Sequence, residues 1–223
     1  MRLWLCLSLM NKICCIFGAG EIKDAVVPEN SLIICADGGY EYLKNIEIEP
    51  DFIVGDFDSL GFVPQGDNVT VLPTVKDETD MAKAVEIGEN NGADTFVLYG
   101  GMGGRPDHTF ANIQLLTLIA SKGKRAFLLG EGTVITAVCN GKICFDEQNK
   151  GYVSVFSHSE KSEGVYISGL KYELENAQIV NTIPLGVSNE FIGKKATVRV
   201  ENGTLVIMWQ EDICQFIKTL NSH

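Results

Sequence analysis

The 223-residue chain carries 29 acidic against 18 basic side chains, a formal net charge of −11, which excludes the basic face a nucleic-acid binder needs. Apolar and charged fractions of 45% and 21% are those of a globular protein long enough for one large domain or two modest ones. Its seven cysteines are scattered and form no CxxC pair, which speaks against a zinc site or a disulfide framework and suits a reducing cytoplasm.

In chain order, Arg2 and the apolar run at 3–10 come first. The run is too short to span a membrane and no small-residue cleavage site follows it. Asn11-Lys12 then leads into a strand. Residues 1–9 are therefore expected to be an extension the fold does not require, with Met10 as the natural start. Continuous apolar runs at 13–17, 32–35, 52–54, 96–99 and 126–129 read as strands covered on both faces, hence parallel. Helical stretches at 40–45, 79–91 and 107–122 alternate with them. The last carries Phe110, Ile113, Leu116 and Ile119 near helical spacing and stops at Gly123. This βαβ order predicts a doubly wound, Rossmann-like α/β sheet.

From about 134 the apolar period falls to two. Asn140-Gly141 and Asn202-Gly203 are type I′ hairpin signals between alternating runs. Val153/Val155, Val165/Ile167 and Tyr172/Leu174 alternate as half-buried strands do. The second half is expected to be an antiparallel β-sandwich, with domains at 10–135 and 136–223.

Four polar clusters fall where strands end or helices begin, which is where open parallel sheets bind ligands. Asp56 and Asp58 follow the 52–54 run and project to one side of extended chain. Two carboxylates so placed repel unless a cation such as Mg²⁺ sits between them; an Asx-type turn is the alternative. Asp37-Gly38-Gly39 follows the 32–35 run. Lys76, Asp77, Thr79 and Asp80 precede a helix, where a cap and a first-turn acid are also ordinary. Gly100 to His108 follows the 96–99 run, and its glycines can bring N–H groups against phosphate at a helix N-terminus. It is neither a Walker A loop nor a dinucleotide fingerprint, because no Gly-Lys-Ser/Thr follows and Pro106 takes the last glycine position. Arg105 can grip phosphate or simply pair with Asp107, and His108 can serve as a satisfied helix-terminus histidine. Gly18-Ala19-Gly20 alone is a weak fragment. Gathering acids, glycines and an arginine at one sheet edge favours nucleotide chemistry over four unrelated caps and turns.

The segments ADGG, GDFDSL, KDETDMAKAVE and GGMGGRPDHTFANI, in that order, resemble those of the thiamine pyrophosphokinases. Ile167 to Tyr172 and Gly186 to Glu190 resemble that family's thiamine-binding sandwich, so the likeness runs from about residue 10 to the C-terminus. It implies a thiamine diphosphokinase: a cytoplasmic, Mg²⁺-dependent transferase that moves pyrophosphate from ATP to thiamine and releases AMP. It implies an ATP-binding catalytic domain at 10–135 and a thiamine-binding domain at 136–223. Asp56, Asp58 and Asp80 would hold Mg²⁺ and act catalytically with Arg105. The nucleotide site would comprise Asp37, Gly38, Gly39, Lys76, Asp77, Thr79, Gly101, Gly103, Gly104, Arg105, Asp107 and His108. Ser188 and Asn189 would contact thiamine. The family works as a homodimer whose active sites lie between subunits, with no nucleic acid or membrane as partner. Eukaryotic members stack thiamine on a tryptophan; Trp4 and Trp209 match no such position, so the chain resembles the bacterial branch. A DxD glycosyltransferase and a sensor without turnover are the competing readings.

Overall fold

The computed structural model describes residues 12–23, 25–58, 61–73 and 78–221. The expectation for residues 1–9 and the assignments of Lys76 and Asp77 lie outside the described residues. The elements are β1 (Ile13–Phe17), β2 (Leu32–Ala36), α1 (Gly39–Asn45), β3 (Phe52–Gly55), β4 (Val69–Val71), α2 (Asp80–Asn90), β5 (Thr95–Tyr99), α3 (Pro106–Ser121) and β6 (Arg125–Gly130). They continue with β7 (Thr133–Cys139), β8 (Lys142–Phe145), β9 (Tyr152–Ser157), β10 (Lys161–Ser168), β11 (Leu174–Val180), β12 (Gly186–Glu190), β13 (Ala196–Arg199), β14 (Thr204–Gln210) and α4 (Ile213–Asn221).

The parallel order is β6-β5-β1-β2-β3-β4, with registers such as Ile16↔Ile34 and Ile16↔Leu98. Alternate residues of each strand serve two cores, which is why these runs are apolar throughout. Cys14, Ile16, Phe96, Leu98 and Leu128 pack with Met81 and Val85 of α2 and Leu116 and Ile119 of α3. Cys15, Phe17, Val97, Tyr99 and Leu129 pack with Leu43 of α1 and with Ile217 and Leu220 of α4. The predicted doubly wound sheet is therefore present. Its strand order reverses between β1 and β5, so a crevice opens at their C-terminal ends.

Past β6 the sheet does not stop. β7 pairs antiparallel to β6 (Leu128↔Ile135), and β14, β9 and β12 extend the same sheet to ten strands. A second sheet, β11-β10-β13-β8, covers one face of that extension. Phe145, Val165, Ile167 and Val198 from it meet Val153, Val155, Leu205, Ile207 and Trp209. The C-terminal antiparallel sandwich is thus formed as expected, one of its layers being continuous with the parallel sheet.

Three elements were not read in advance. β4 is a three-residue edge strand with Val71 58% exposed, β12 was noted only as a motif, and α4, with Ile213, Phe216, Ile217 and Leu220 at helical spacing, was passed over directly after a strand run. In α3 the buried stripe is Asn112, Leu115, Leu116, Ile119 and Ala120, whereas Phe110 is 61% exposed. The polar residue at the first buried position, Asn112, donates its amide Nδ2 to Gly101 O of the glycine loop at 2.7 Å.

Candidate active site

The switch-point crevice is a cleft of about 330 Å³ lined by Gly18–Gly20, Asp37, Thr79–Met81, the 100–105 loop, His108 and Asn112. Eight of the predicted nucleotide or catalytic residues meet there: Asp37, Thr79, Asp80, Gly101, Gly103, Gly104, Arg105 and His108.

Each is held by its element. Asp37 closes β2 in left-handed backbone (φ 47°), and its N–H donates to Val54 O at 2.8 Å. Gly38 is the N-cap of α1 and Gly39 its first residue; a methyl group at Gly39 would stand 2.0 Å from Phe17 O, so only glycine lets the helix start against β1. Thr79 caps α2, its Oγ1 accepting from Ala82 N–H at 3.2 Å. Asp80 therefore sits in the first turn, where the helix field favours a carboxylate. Gly100, Gly103 and Gly104 all have positive φ (65°, 81° and 65°), a conformation that suits glycine.

Asp56 and Asp58 lie one strand further out, at the end of β3. The two segments touch, because a methyl group at Gly55 would be 3.0 Å from Asp37 Cα. The Asx-type turn is realised: Asp58 N–H donates to Asp56 Oδ1 at 3.2 Å. Between the two acids the buried Phe57 adopts φ 59°, which leaves Asp58 at the surface and Asp56 half-buried. Among the described residues no three acidic, histidine or cysteine side chains stand close enough to cage a metal ion.

Arg105 and Asp107 form the pair considered from sequence, a fork of Nε to Oδ1 at 3.2 Å and Nη2 to Oδ2 at 2.5 Å, fully at the surface. The hydrogen bond from Arg105 holds the Asp107 carboxyl below the usual range and raises the guanidinium in turn. At this exposure such a pair contributes little to stability, so the guanidinium can turn to a phosphate at small cost.

Ser188 and Asn189 lie on β12, at the far edge of the ten-stranded sheet. A register shift between Gly186 and Asn189 puts Ser188 at φ 58° and leaves it exposed. Asn189 is buried and its amide is spent on backbone: Nδ2 donates to Tyr172 O at 2.7 Å, and Oδ1 accepts from Tyr172 N–H at 3.0 Å. Both polar backbone groups of Tyr172 are thereby fixed while its ring stays 61% exposed, with Lys171 Nζ 5.6 Å from the ring centroid.

Three features beside these residues were given no role from sequence. Gly18–Gly20 lines the cleft although its motif is incomplete. Asn112 also lines the cleft, and in the sequence it stood only as a member of the GGMGGRPDHTFANI segment. Tyr172 was read as one of an alternating pair with Leu174. The signal available for Tyr172 was its place directly after the Gly169-Leu170-Lys171 stretch.

A wider groove of about 640 Å³, lined by Phe145, Trp209, Glu211 and Phe216 among others, opens at the start of β6. It holds none of the predicted site residues. The acids, glycines and arginine mark the smaller cleft as the chemical one.

The chain matches the model of "Thiamin pyrophosphokinase, catalytic domain" over residues 24–128 and that of "Thiamin pyrophosphokinase, vitamin B1 binding domain" over 142–205. It is 29% identical over 191 residues to the thiamine pyrophosphokinase of Bacillus subtilis (strain 168), a match covering 82% of this chain and 89% of that one. The crystal structure of thiamine pyrophosphokinase from Bacillus subtilis superposes with a TM-score of 0.79 at 27% identity, covering 90% of this chain and all of the other. That of thiamin pyrophosphokinase from Geobacillus thermodenitrificans gives 0.76 at 28% identity, covering 90% and 98%. With both family models matched in order on one chain and the fold of those structures reproduced, the chain belongs to the thiamin pyrophosphokinase family and is an enzyme of that activity.

Proposed function

We propose that this enzyme transfers pyrophosphate from Mg²⁺–ATP, held in the switch-point cleft of one subunit, to thiamine presented by β12 of a second copy. The observation that carries this reading is strand order. From β12 to β3 is eight strand steps across one sheet and from β12 to β5 is five; at about 4.8 Å each, Ser188 lies roughly 40 Å along the sheet from Asp56 and Asp58 and roughly 25 Å from the cleft. That is far beyond reach for one small alcohol bound between them. A partner copy brings the two ends together. Surface chemistry supports the pairing: Tyr152, Tyr172, Ile183, Leu185 and Val187, around β12, are each more than half exposed. Apolar groups gathered at such an edge favour burial against another surface.

On the nucleotide side, the fit to Mg²⁺ rests on donor chemistry. The ion takes hard oxygen ligands and is commonly held by one or two carboxylates together with substrate phosphates and water. Asp56, Asp58 and Asp80 are such donors, and a complete protein cage is not required of them. When bound there, the ion would neutralise triphosphate charge. The glycine loop and the first turn of α3 offer backbone N–H groups to phosphate, flanked by Gly18–Gly20. Arg105 leaves Asp107 for the phosphates and stabilises charge moving toward the leaving group. Asp37, Thr79 and His108 complete the wall, and Gly38 and Gly39 set the entry of α1 beneath it. Lys76 and Asp77 belong to the same reading by motif.

The thiamine hydroxyl oxygen attacks the β-phosphorus in line. Its new O–P bond forms as the bond from that phosphorus to the α–β bridging oxygen breaks, and AMP departs with the bridging oxygen. The hydroxyl proton passes to a carboxylate of the acidic cluster. Tyr172 supplies the aromatic face for thiamine, held for stacking by the Asn189 bracket, with Ser188 beside it. This division gives 10–135 the nucleotide and 136–223 the acceptor. No helix among the described residues is long and apolar enough to cross a membrane, and the six described cysteines are all free, which suits cytoplasmic work.

The test is a product assay with Mg²⁺, ATP and thiamine. AMP that forms only when thiamine is present is the expected result. ADP as product, or no turnover, overturns the proposal.

A further inference from the structure

A loop that holds phosphate must turn its N–H groups inward and its carbonyl oxygens away, since a carbonyl facing an anion repels it. At the C-terminal end of β5 three consecutive carbonyls are each drawn aside by a donor. Tyr99 O accepts from Gly18 N–H at 2.8 Å and Gly100 O from Gly20 N–H at 2.9 Å. Gly101 O accepts from Asn112 Nδ2 at 2.7 Å. The first two donors are backbone, and mutation leaves them in place. The third is a side chain, 6% exposed, reaching up from α3. Contact there is tight, since a methyl group at Gly101 would be 2.8 Å from both Asn112 Nδ2 and Leu128 Cδ1.

We infer that Asn112 is a positioning residue for ATP: by holding the Gly101 carbonyl down, it aims the 100–105 loop at the phosphates. The inference rests on the proposed nucleotide site and adds a residue to it. It explains why the first buried position of α3 is an amide rather than a hydrocarbon. It also fixes the amide orientation, because Nδ2 must face the carbonyl. An aspartate at 112 has nearly the same shape but no donor, and would set a carboxylate oxygen against Gly101 O.

The experiment measures Mg²⁺–ATP binding by calorimetry without thiamine, and then steady-state kinetics. Asn112→Asp is expected to weaken ATP binding on the order of ten- to a hundredfold, as misplacement of a positioning group does, and more than Asn112→Ala. Asn112→Ser, which keeps a donor but not the bulk, should retain more ATP affinity than Asn112→Ala. KM for thiamine should stay within about twofold of wild type, and amide hydrogen exchange across 100–105 should quicken. Wild-type ATP affinity in Asn112→Asp would overturn the inference. So would a parallel fall in ATP and thiamine affinity that follows only the loss of melting temperature. Wild-type protein that binds ATP yet releases no AMP would sink the proposed function and leave this inference standing. Normal AMP formation beside unchanged ATP affinity in Asn112→Asp would sink this inference alone.

Discussion

The two ends of the ten-stranded sheet place functional groups by different means. At the parallel end every strand but the edge strand β4 is buried on both faces, and the chemistry lies on loops at the strand termini. There Asp37 and Phe57 take left-handed backbone, at a cost of order 1 kcal/mol or more each, which only a rigid surround sustains. At the antiparallel end, Ser188 also has positive φ, but it stands on an exposed edge. Its neighbour Asn189 spends its amide on holding Tyr172 outward. On the proposed reading the parallel end offers charge and N–H groups to a polyphosphate and the antiparallel end an aromatic and apolar surface to a ring, and neither completes the transfer alone, since β12 and β3 stand eight strand steps, roughly 40 Å along the sheet, apart within one chain.

The largest expected effect breaks the parallel end. Asp58→Asn removes, at an exposed position, a charge that the proposed function assigns to the metal. Charge stabilisation of several kcal/mol, at about 1.4 kcal/mol per tenfold, predicts a fall in kcat of roughly a hundred- to ten-thousandfold, with an unchanged melting temperature. Near-wild-type turnover would remove Asp58 from the metal assignment.

A second experiment joins the two ends. Tyr172→Ala, expected to raise KM for thiamine about tenfold or more through lost stacking, is mixed with Asp58→Asn and allowed to exchange subunits. If each active site draws its acids from one copy and its Tyr172 from the other, a mixed dimer has one intact site and one doubly altered site. The mixture should then approach about a quarter of wild-type activity at limiting thiamine, above either variant alone. No gain on mixing, in protein shown to exchange, would show that no active site joins the acids of one copy to Tyr172 of another.

The same contrast governs what was legible in advance. The parallel half was readable because burial on both faces leaves unbroken apolar runs, and the acids and glycines at their ends stand out against them. The sandwich was readable from its period of two, but Asn140-Gly141 and Asn202-Gly203, expected as hairpin turns, instead carry the chain from one sheet to the other, from β7 to β8 and from β13 to β14, while β8 pairs with β13 and β7 with β14. What escaped was whatever depended on a partner element. Asn112 has meaning only beneath Gly101. The Tyr172 backbone is fixed by the bracket from Asn189, seventeen residues away. The continuity of β6 into β7 follows from pairing, not from composition.

Thiol labelling separates the halves again with a smaller readout. Burial pushes the Cys15 and Cys35 thiols up to about 12 and that of Cys14 higher still, whereas Cys144 and Cys214 are exposed. Reaction requires thiolate and access. At pH 8 a maleimide should modify Cys144 and Cys214 rapidly and the three core thiols only on unfolding, read peptide by peptide by mass spectrometry. Fast labelling of Cys15 in folded protein would mean that the parallel core opens far more readily than its packing indicates.

The smallest effect is set at the joint between the halves, where Glu211 follows β14. Its Oε2 accepts from Asn149 Nδ2 at 2.6 Å and from Trp209 Nε1 at 3.4 Å. Partial burial nevertheless raises its carboxyl above the ordinary value of 4.5. A carboxyl raised on folding binds its proton more tightly in the folded chain. Its contribution is therefore fully present below the unfolded value and is lost as pH rises through the folded one. At neutral pH the ion is carried against desolvation. Glu211→Gln keeps an acceptor and removes the charge, so the variant should melt about a degree or two higher than wild type at pH 7. The gap should close as pH falls toward 4.5. A variant several degrees less stable at pH 7 would show instead that the ionised carboxylate, through its two donors, is what fastens β14 to the loop before β9.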